Sequence, residues 1–197
     1  LLADCGAVKQ KAVSLGFPEE KVVTFPWGIG LERFKPGRND DLRRKLGWNE
    51  LFVIFHSRSW EEVYGVDVMA KGFAEACKHD NDLRLLLLGG GSWKEKIEHI
   101  FSEAGVMEKV KFTGSIDQNE LSTYYHAADL YLSASHSDGS SISLLEAMAS
   151  GLPAVVTNIP GNREWVKPGK NGWLFPDGNW KQLAEMDWTG GQGQFRT

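Results

Sequence analysis

Short apolar runs alternate along this chain with stretches of helical periodicity. The runs stand at 51–55, 83–88, 110–112, 130–132, 154–156 and 172–175. Leu83–Leu88 holds one polar residue, Arg84, which predicts a central parallel strand closed by Gly89, Gly90 and Gly91. Helices are predicted over 66–78, from a Ser92/Glu95 capping box to near Gly105, from Asp117 and Glu120 through Ala128, over 142–149, near 162–166, and over 179–185. Ahead of these lie a strand stub at 1–3, a helix over 7–15 stopped by Gly16, and a β-rich run at 21–25. A Pro- and Gly-rich loop follows from Pro26 to Gly37, then a helix over 40–46 begun by Asn39 or Asp40 and ended by Gly47. Strand-then-helix repetition with short loops predicts an α/β fold: a doubly wound, Rossmann-like parallel sheet of about six strands, helices on both faces. Ligands of such sheets bind beyond the carboxyl ends of the strands.

The stretch Ser137–Gly151, SDGSSISLLEAMASG, stands out in this pattern. From Ile142 to Ala149 its only charge is Glu146, on a helix apolar nearly all round, which predicts burial. A lone buried carboxylate is costly unless something binds it. Gly139, Ser140 and Ser141 are small enough for a ligand to approach the free N–H groups of the helix start. Asp138 precedes Glu146 with seven residues between them, which at helical rise puts the carboxylates roughly 12 Å apart. That is the span from a ribose to the far hexose of a nucleotide-diphosphate sugar. A capped core helix whose glutamate makes an internal hydrogen bond explains this stretch alone equally well.

Other candidates sit after neighbouring strands. Arg58 follows the run at 51–55, the glycine trio follows 83–88, Gly114 follows 110–112, and Asp138 follows 130–132. Four strand ends converging on one crevice say more than a glycine trio alone, since glycines also make tight turns. His56 and His136 also follow strands, and each reads by default as a hydrogen-bonded neighbour. No nicotinamide fingerprint, P-loop or metal-ligand histidine spacing is present.

Composition narrows the classes further. Hydrophobic residues make up 42% and charged residues 24%, the proportions of a soluble globular protein. A net charge of -4 gives no reason to expect nucleic acid. Cys5 and Cys77 point to reduced thiols and a cytoplasmic setting. No apolar run reaches membrane-spanning length. The first residue is Leu, so the chain is expected to begin inside a longer gene product, with a domain boundary upstream of residue 5.

These residues resemble a known family. From about Leu2 to about Leu183 the chain is similar to the C-terminal half of a retaining, family-4 (group 1) glycosyltransferase of the GT-B fold. The most specific part is DGSSISLLEAMASGLPAVVTNIPGNREWV at 138–166, where the family's motif of an acid, seven residues and a glutamate falls on Asp138 and Glu146. PWGIGLERFKP at 26–36 and NGWLFP at 171–176 also match.

The resemblance implies a function and roles. The chain would be the donor-binding half, residues 1–185, of an enzyme transferring a hexosyl group with retention from a nucleotide-diphosphate sugar. The acceptor, a glycan or lipid-linked sugar, would be held by an N-terminal domain absent from these residues, which is also where any membrane-peripheral attachment would lie. No metal or other cofactor is expected. Glu146 would hold the ribose hydroxyls, and Asp138 the hydroxyls of the donor hexose. Arg58 would neutralise the departing diphosphate, aided by backbone N–H groups at Ser141 and Ile142. Gly114 and Ile116 would line the base pocket, with Gly89, Gly90, Gly139 and Ser140 shaping the donor site.

Three departures qualify this. The family usually has Glu where this chain has Asp138. It usually places Lys just before a Gly after the arginine strand, and here Tyr64 stands before Gly65; Lys71 and Lys94 are candidate substitutes. Residues 186–197 lack apolar period and are expected to be a disordered tail. A non-catalytic nucleotide-sugar binding module, consistent with Tyr64, and a sugar-nucleotide epimerase on the same fold are the alternatives. A phosphorylase would need a pyridoxal lysine, for which there is no motif.

Overall fold

The computed structural model describes residues 1–186 and 188. In chain order its elements begin with β1 (Leu2–Ala3), α1 (Gly6–Ser14), β2 (Val23–Thr24) and α2 (Asp40–Leu46). They continue with β3 (Phe52–His56), α3 (Val66–Ala76), β4 (Leu83–Leu88), α4 (Lys94–Glu103), β5 (Val110–Gly114) and α5 (Leu121–Ala127). The last are β6 (Leu130–Ser133), α6 (Ile142–Ala149), β7 (Ala154–Thr157), α7 (Pro160–Trp165), β8 (Gly172–Phe175) and α8 (Trp180–Ala184).

Strands β3 to β8 form one parallel sheet in the order β5-β4-β3-β6-β7-β8. Counted from β3, this is the 3-2-1-4-5-6 order of a doubly wound sheet, whose switch point lies between β3 and β6. Side chains alternate along each strand, so both faces need cover. Ile54, Leu85 and Leu87 pack with Met69, Phe73 and Phe101 on one face. Val53, Phe55 and Leu86 pack with Tyr125, Tyr131 and Leu144 on the other. The expected sheet of about six strands is therefore present. The strand stub and the β-rich run near the N-terminus do not join it. They pair with each other as a separate two-stranded parallel sheet, β1-β2.

Local signals mostly hold. Asn39 caps α2 by accepting from the Leu42 N–H at 3.0 Å, and Gly47 ends it in the left-handed region. The Ser92/Glu95 capping box does not form. Ser92 donates its N–H, at 2.8 Å, and its hydroxyl to the Glu61 carboxylate, and α4 starts at Lys94 without a side-chain cap. A long-range partner on the neighbouring loop outcompetes the local one. The start of the expected disordered tail also differs: Met186 and Trp188 are buried in the core on the α3 side, while Asp187 and residues 189–197 lie outside the described residues. Cys5 and Cys77 are free thiols, both buried.

Candidate functional site

Loops from β3, β4, β5 and β6, four adjacent strands, meet at one end of the sheet. Gly89, at φ 101°, donates its N–H to the Gly114 carbonyl at 3.0 Å, joining the ends of β4 and β5. The Trp60 N–H donates to the Gly90 carbonyl at 3.0 Å, and the Trp93 N–H to the Trp60 carbonyl at 2.9 Å, which ties the glycine trio to the loop bearing Arg58. Gly65 fixes the other side of that loop. Its φ of 56° and the Ala134 carbonyl pressed against its Cα leave no room for a side chain.

Arg58 and Asp138 face each other across the switch point, with Nη2 to Oδ2 at 2.7 Å. Arg58 also donates to the hydroxyls of Ser141, at 3.1 Å, and Ser143, at 3.2 Å, so its guanidinium sits at the start of α6. Its Nε–H is buried without an acceptor among the described residues. Tyr64 lies beneath it, the guanidinium carbon 4.2 Å from the ring centroid. Where a lysine was expected there is thus an aromatic face that holds the arginine by cation–π attraction. Burial raises the Asp138 carboxyl above its ordinary range, although Arg58 and the Gly139 N–H pull it down.

Glu146 lies one face along on α6 and is only 7% exposed. Its Oε2 accepts from the Tyr125 hydroxyl at 3.0 Å, and that hydroxyl also lies 3.0 Å from the Ser143 carbonyl. Burial raises the Glu146 carboxyl, opposed by the Tyr125 hydrogen bond and the Arg33 charge. The internal hydrogen bond of the structural reading is therefore real. So is access: Glu146 lines a cavity of about 470 Å³ with Ile142, Gln118, Arg33, Glu32 and residues 28–30. The loop at 26–36 thus closes over the glutamate, and a cavity of this size suits a small-molecule ligand.

Not every predicted group is available. Asp138 takes the Gly139 N–H at 3.0 Å, and the Asp4 carboxylate takes the Ser140 N–H at 3.0 Å, so the usable helix-start donors begin at Ser141 and Ile142. Arg58 is not a free cation either, since Asp138 occupies it. Neither candidate substitute lysine joins it: Lys71 pairs with Asp67 at 3.2 Å and Lys94 with Glu98 at 3.8 Å, both along their own helices. Gly114 is exposed and Ile116 half-buried beyond β5. His56 is fully buried, with Nδ1 2.9 Å from the Leu132 carbonyl, and burial pushes it down to about 4. His136 Nδ1 lies 2.5 Å from Asp177.

Sequence reasoning missed Tyr125, Arg33, Gln118 and Asp4. A buried glutamate demands a donor, yet the pattern of α5 does not say that Tyr125 turns inward. Arg33 lies inside a segment whose apolar matches drew the attention.

The order of the sheet and the acidic helix at its switch point define one Rossmann-like half of a GT-B glycosyltransferase fold. Residues 38–186 match the family described as glycosyl transferases group 1, and the chain belongs to that family. It is 27% identical to D-inositol 3-phosphate glycosyltransferase 1 of Catenulispora acidiphila, covering 94% of this chain and 47% of that protein. It is 31% identical to alpha-monoglucosyldiacylglycerol synthase of Streptococcus pneumoniae, covering 72% of this chain and 33% of that one. The chain thus spans half or less of the length of these two curated relatives. Among solved structures, Anabaena HepE in complex with UDP-glucose superposes with a TM-score of 0.84 at 22% identity, over 93% of this chain and 51% of that one. The C-terminal domain of the group 1 protein LpcC from Francisella tularensis superposes at 0.70, with 24% identity, over 80% of this chain and 84% of that domain. No helix among the described residues is long and apolar enough to cross a membrane.

Proposed function

We propose that this chain is the donor-binding half of a retaining, family-4 glycosyltransferase. Joined to an acceptor-binding domain, it moves a hexosyl group from a nucleoside-diphosphate sugar to a glycan or lipid-linked acceptor. The observation that carries this reading is the placement of Arg58 at the start of α6, against Asp138 and on the same helix unit as the cavity-lining Glu146. Glycosyl transfer leaves negative charge on the departing diphosphate. A fixed guanidinium and the N–H groups of Ser141 and Ile142 stabilise that charge as it develops. The reading requires no metal or cofactor, because these groups supply the positive field.

Each residue then has a task. The incoming diphosphate competes with Asp138 for Arg58. Asp138, released, accepts from hydroxyls of the hexose. Glu146, steadied by Tyr125, accepts from the ribose hydroxyls. The cavity under loop 26–36 takes the nucleoside, with Gly114 and Ile116 at its base-side margin. Gly89 and Gly90 let the phosphates approach the backbone.

Because HepE is solved with UDP-glucose, that compound is the first probe. A panel of nucleotide sugars in a thermal-shift assay should raise the melting temperature for the true donor, since a ligand of the folded state stabilises it by mass action. Anomer analysis of the product made by the full-length protein tests retention. A chain stabilised by no nucleotide sugar overturns the reading.

A further inference from the structure

The turn that carries Asp138 is held from outside its own domain sheet. Asp4, just after β1, reaches it with both side chain and backbone. Its carboxylate accepts from the Ser140 N–H at 3.0 Å and from the Trp27 indole N–H at 3.3 Å, and its carbonyl accepts from the Ser140 hydroxyl at 2.7 Å. The Trp165 indole, on α7, donates to the same hydroxyl at 3.2 Å. Gly139 lies flat on the Asp4 carboxylate, and a Cβ there would collide with it. On the opposite side Gly161 presses against the carbonyls of Asp138 and Gly139. The circuit closes through α7: the Glu164 carboxylate accepts from the Gly6 N–H at 3.1 Å and the Ala7 N–H at 3.0 Å, capping α1.

Two features make this more than a surface contact. Ser140 is 3% exposed, so its N–H has no water to fall back on and needs the Asp4 oxygen. Ser141, the next residue, and Asp138, two residues before it on the turn, both contact Arg58. A displacement of the turn therefore shifts the ion pair directly.

We infer that Asp4 is a positioning residue: through Ser140 it sets the Asp138 turn, and so makes the arrangement of Arg58 and Asp138 depend on how the β1-α1-β2 unit is seated. The inference deepens the donor reading and rests on it for its consequence. Its mechanical part does not.

The test compares Asp4→Asn, which keeps an acceptor oxygen but no charge, with Asp4→Ala, which keeps neither. Both lack the negative charge that stands near Asp138, so any difference between them reports position. Asp138 also faces Arg58, the Gly139 N–H and the Ser141 hydroxyl in both. The Asp138 carboxyl is followed by carbon-13 NMR against pH. It should titrate at higher pH in Asp4→Ala than in Asp4→Asn, because the displaced turn loses part of its contact with Arg58. Coincident titrations overturn the inference whatever the chain binds. Should Asp4→Ala fail to fold, Asp4→Ser, too short to reach Ser140, takes its place. Calorimetry supplies the functional arm: the preference for UDP-glucose over UDP should fall ~10-fold in Asp4→Ala and be largely restored in Asp4→Asn, the scale of one hydrogen bond. A parent that binds neither compound is titrated with the donor found by the nucleotide-sugar panel and its nucleoside diphosphate; a parent that binds no nucleotide sugar defeats the donor reading and leaves the carbon-13 titration to decide Asp4. A parent that prefers UDP-glucose, with that preference unchanged in Asp4→Ala, overturns the inference.

Discussion

Asp138 and Glu146 belong to one turn-and-helix unit, and both carboxyls are pushed up by burial. They are steadied in different ways. Asp138 meets a full positive charge at 2.7 Å. Glu146 meets a phenol at 3.0 Å, with Arg33 acting on it only as a neighbouring charge. An ion pair gives two charges that a ligand can exchange for new partners. A hydrogen-bonded anion keeps its charge free for a donor coming from outside. On the proposed donor reading, the Asp138 end would rearrange when phosphate arrives, and the Glu146 end would recognise its ligand without rearrangement.

The sharpest way to break this comparison is Arg58→Ala. It removes the only cation contacting the Asp138 end among the described residues, and should cost diphosphate binding roughly 2–5 kcal/mol, as truncating a buried charge pair does. Nucleoside without phosphates should bind as before, which titrations with nucleoside, nucleoside diphosphate and nucleotide sugar would show. Diphosphate affinity left intact would mean another cation holds the phosphates. Glu146→Gln should weaken nucleotide-sugar binding by about 1–3 kcal/mol, the range for a charged hydrogen-bond partner. Normal binding by a mutant that unfolds easily would make the glutamate structural. Tyr64→Lys exchanges the aromatic seat for a second cation. It should tighten diphosphate binding by at most about 1 kcal/mol, and increasing salt should erase the gain.

The smallest effect is on stability against pH. A carboxyl whose folded-state value lies above its unfolded value of about 4.3 binds its proton more tightly when folded. Its contribution is fully present below the unfolded value and is lost as pH rises through the folded one. Glu146 is such a group because of burial. Glu146→Gln should therefore be stabilised relative to the parent at neutral pH, and the two should converge in acid. Melting temperatures across that range check the sign; a mutant less stable at neutral pH would show that the anion earns more from Tyr125 than it loses to burial.

The sheet was legible in the sequence because its central strands bury both faces and so read as nearly continuous apolar runs, as Leu83–Leu88 does with Arg84 its one polar residue. Asn39 and Gly47 were legible because a cap is a local device. What stayed hidden is long-range and polar. Ser92 has the spacing of a capping box, yet its partner Glu61 lies 31 residues away in sequence. Arg58 and Asp138 were each picked out, but nothing local says that they neutralise one another. Asp4 carries no motif, and its meaning comes only from the fold that brings it 136 residues along the chain to Ser140. The runs at β1 and β2 read as strands correctly, but a run does not say which sheet it joins.

The switch point also has a consequence for synthesis. Ile54 of β3 pairs with Leu130 of β6, whose residue numbers differ by 76. At roughly 5–20 residues per second on the ribosome, about 4–15 seconds pass before β3 receives its second neighbour. For that time one edge of the central strand, bearing Val53, Ile54 and Phe55, has no partner from its own sheet. An unpaired apolar edge is a template for wrong pairing with other chains. The same crossover that opens the crevice for Arg58 and Asp138 thus makes the nascent chain depend on the stretch between β4 and β6, and slower translation there should lower the soluble yield.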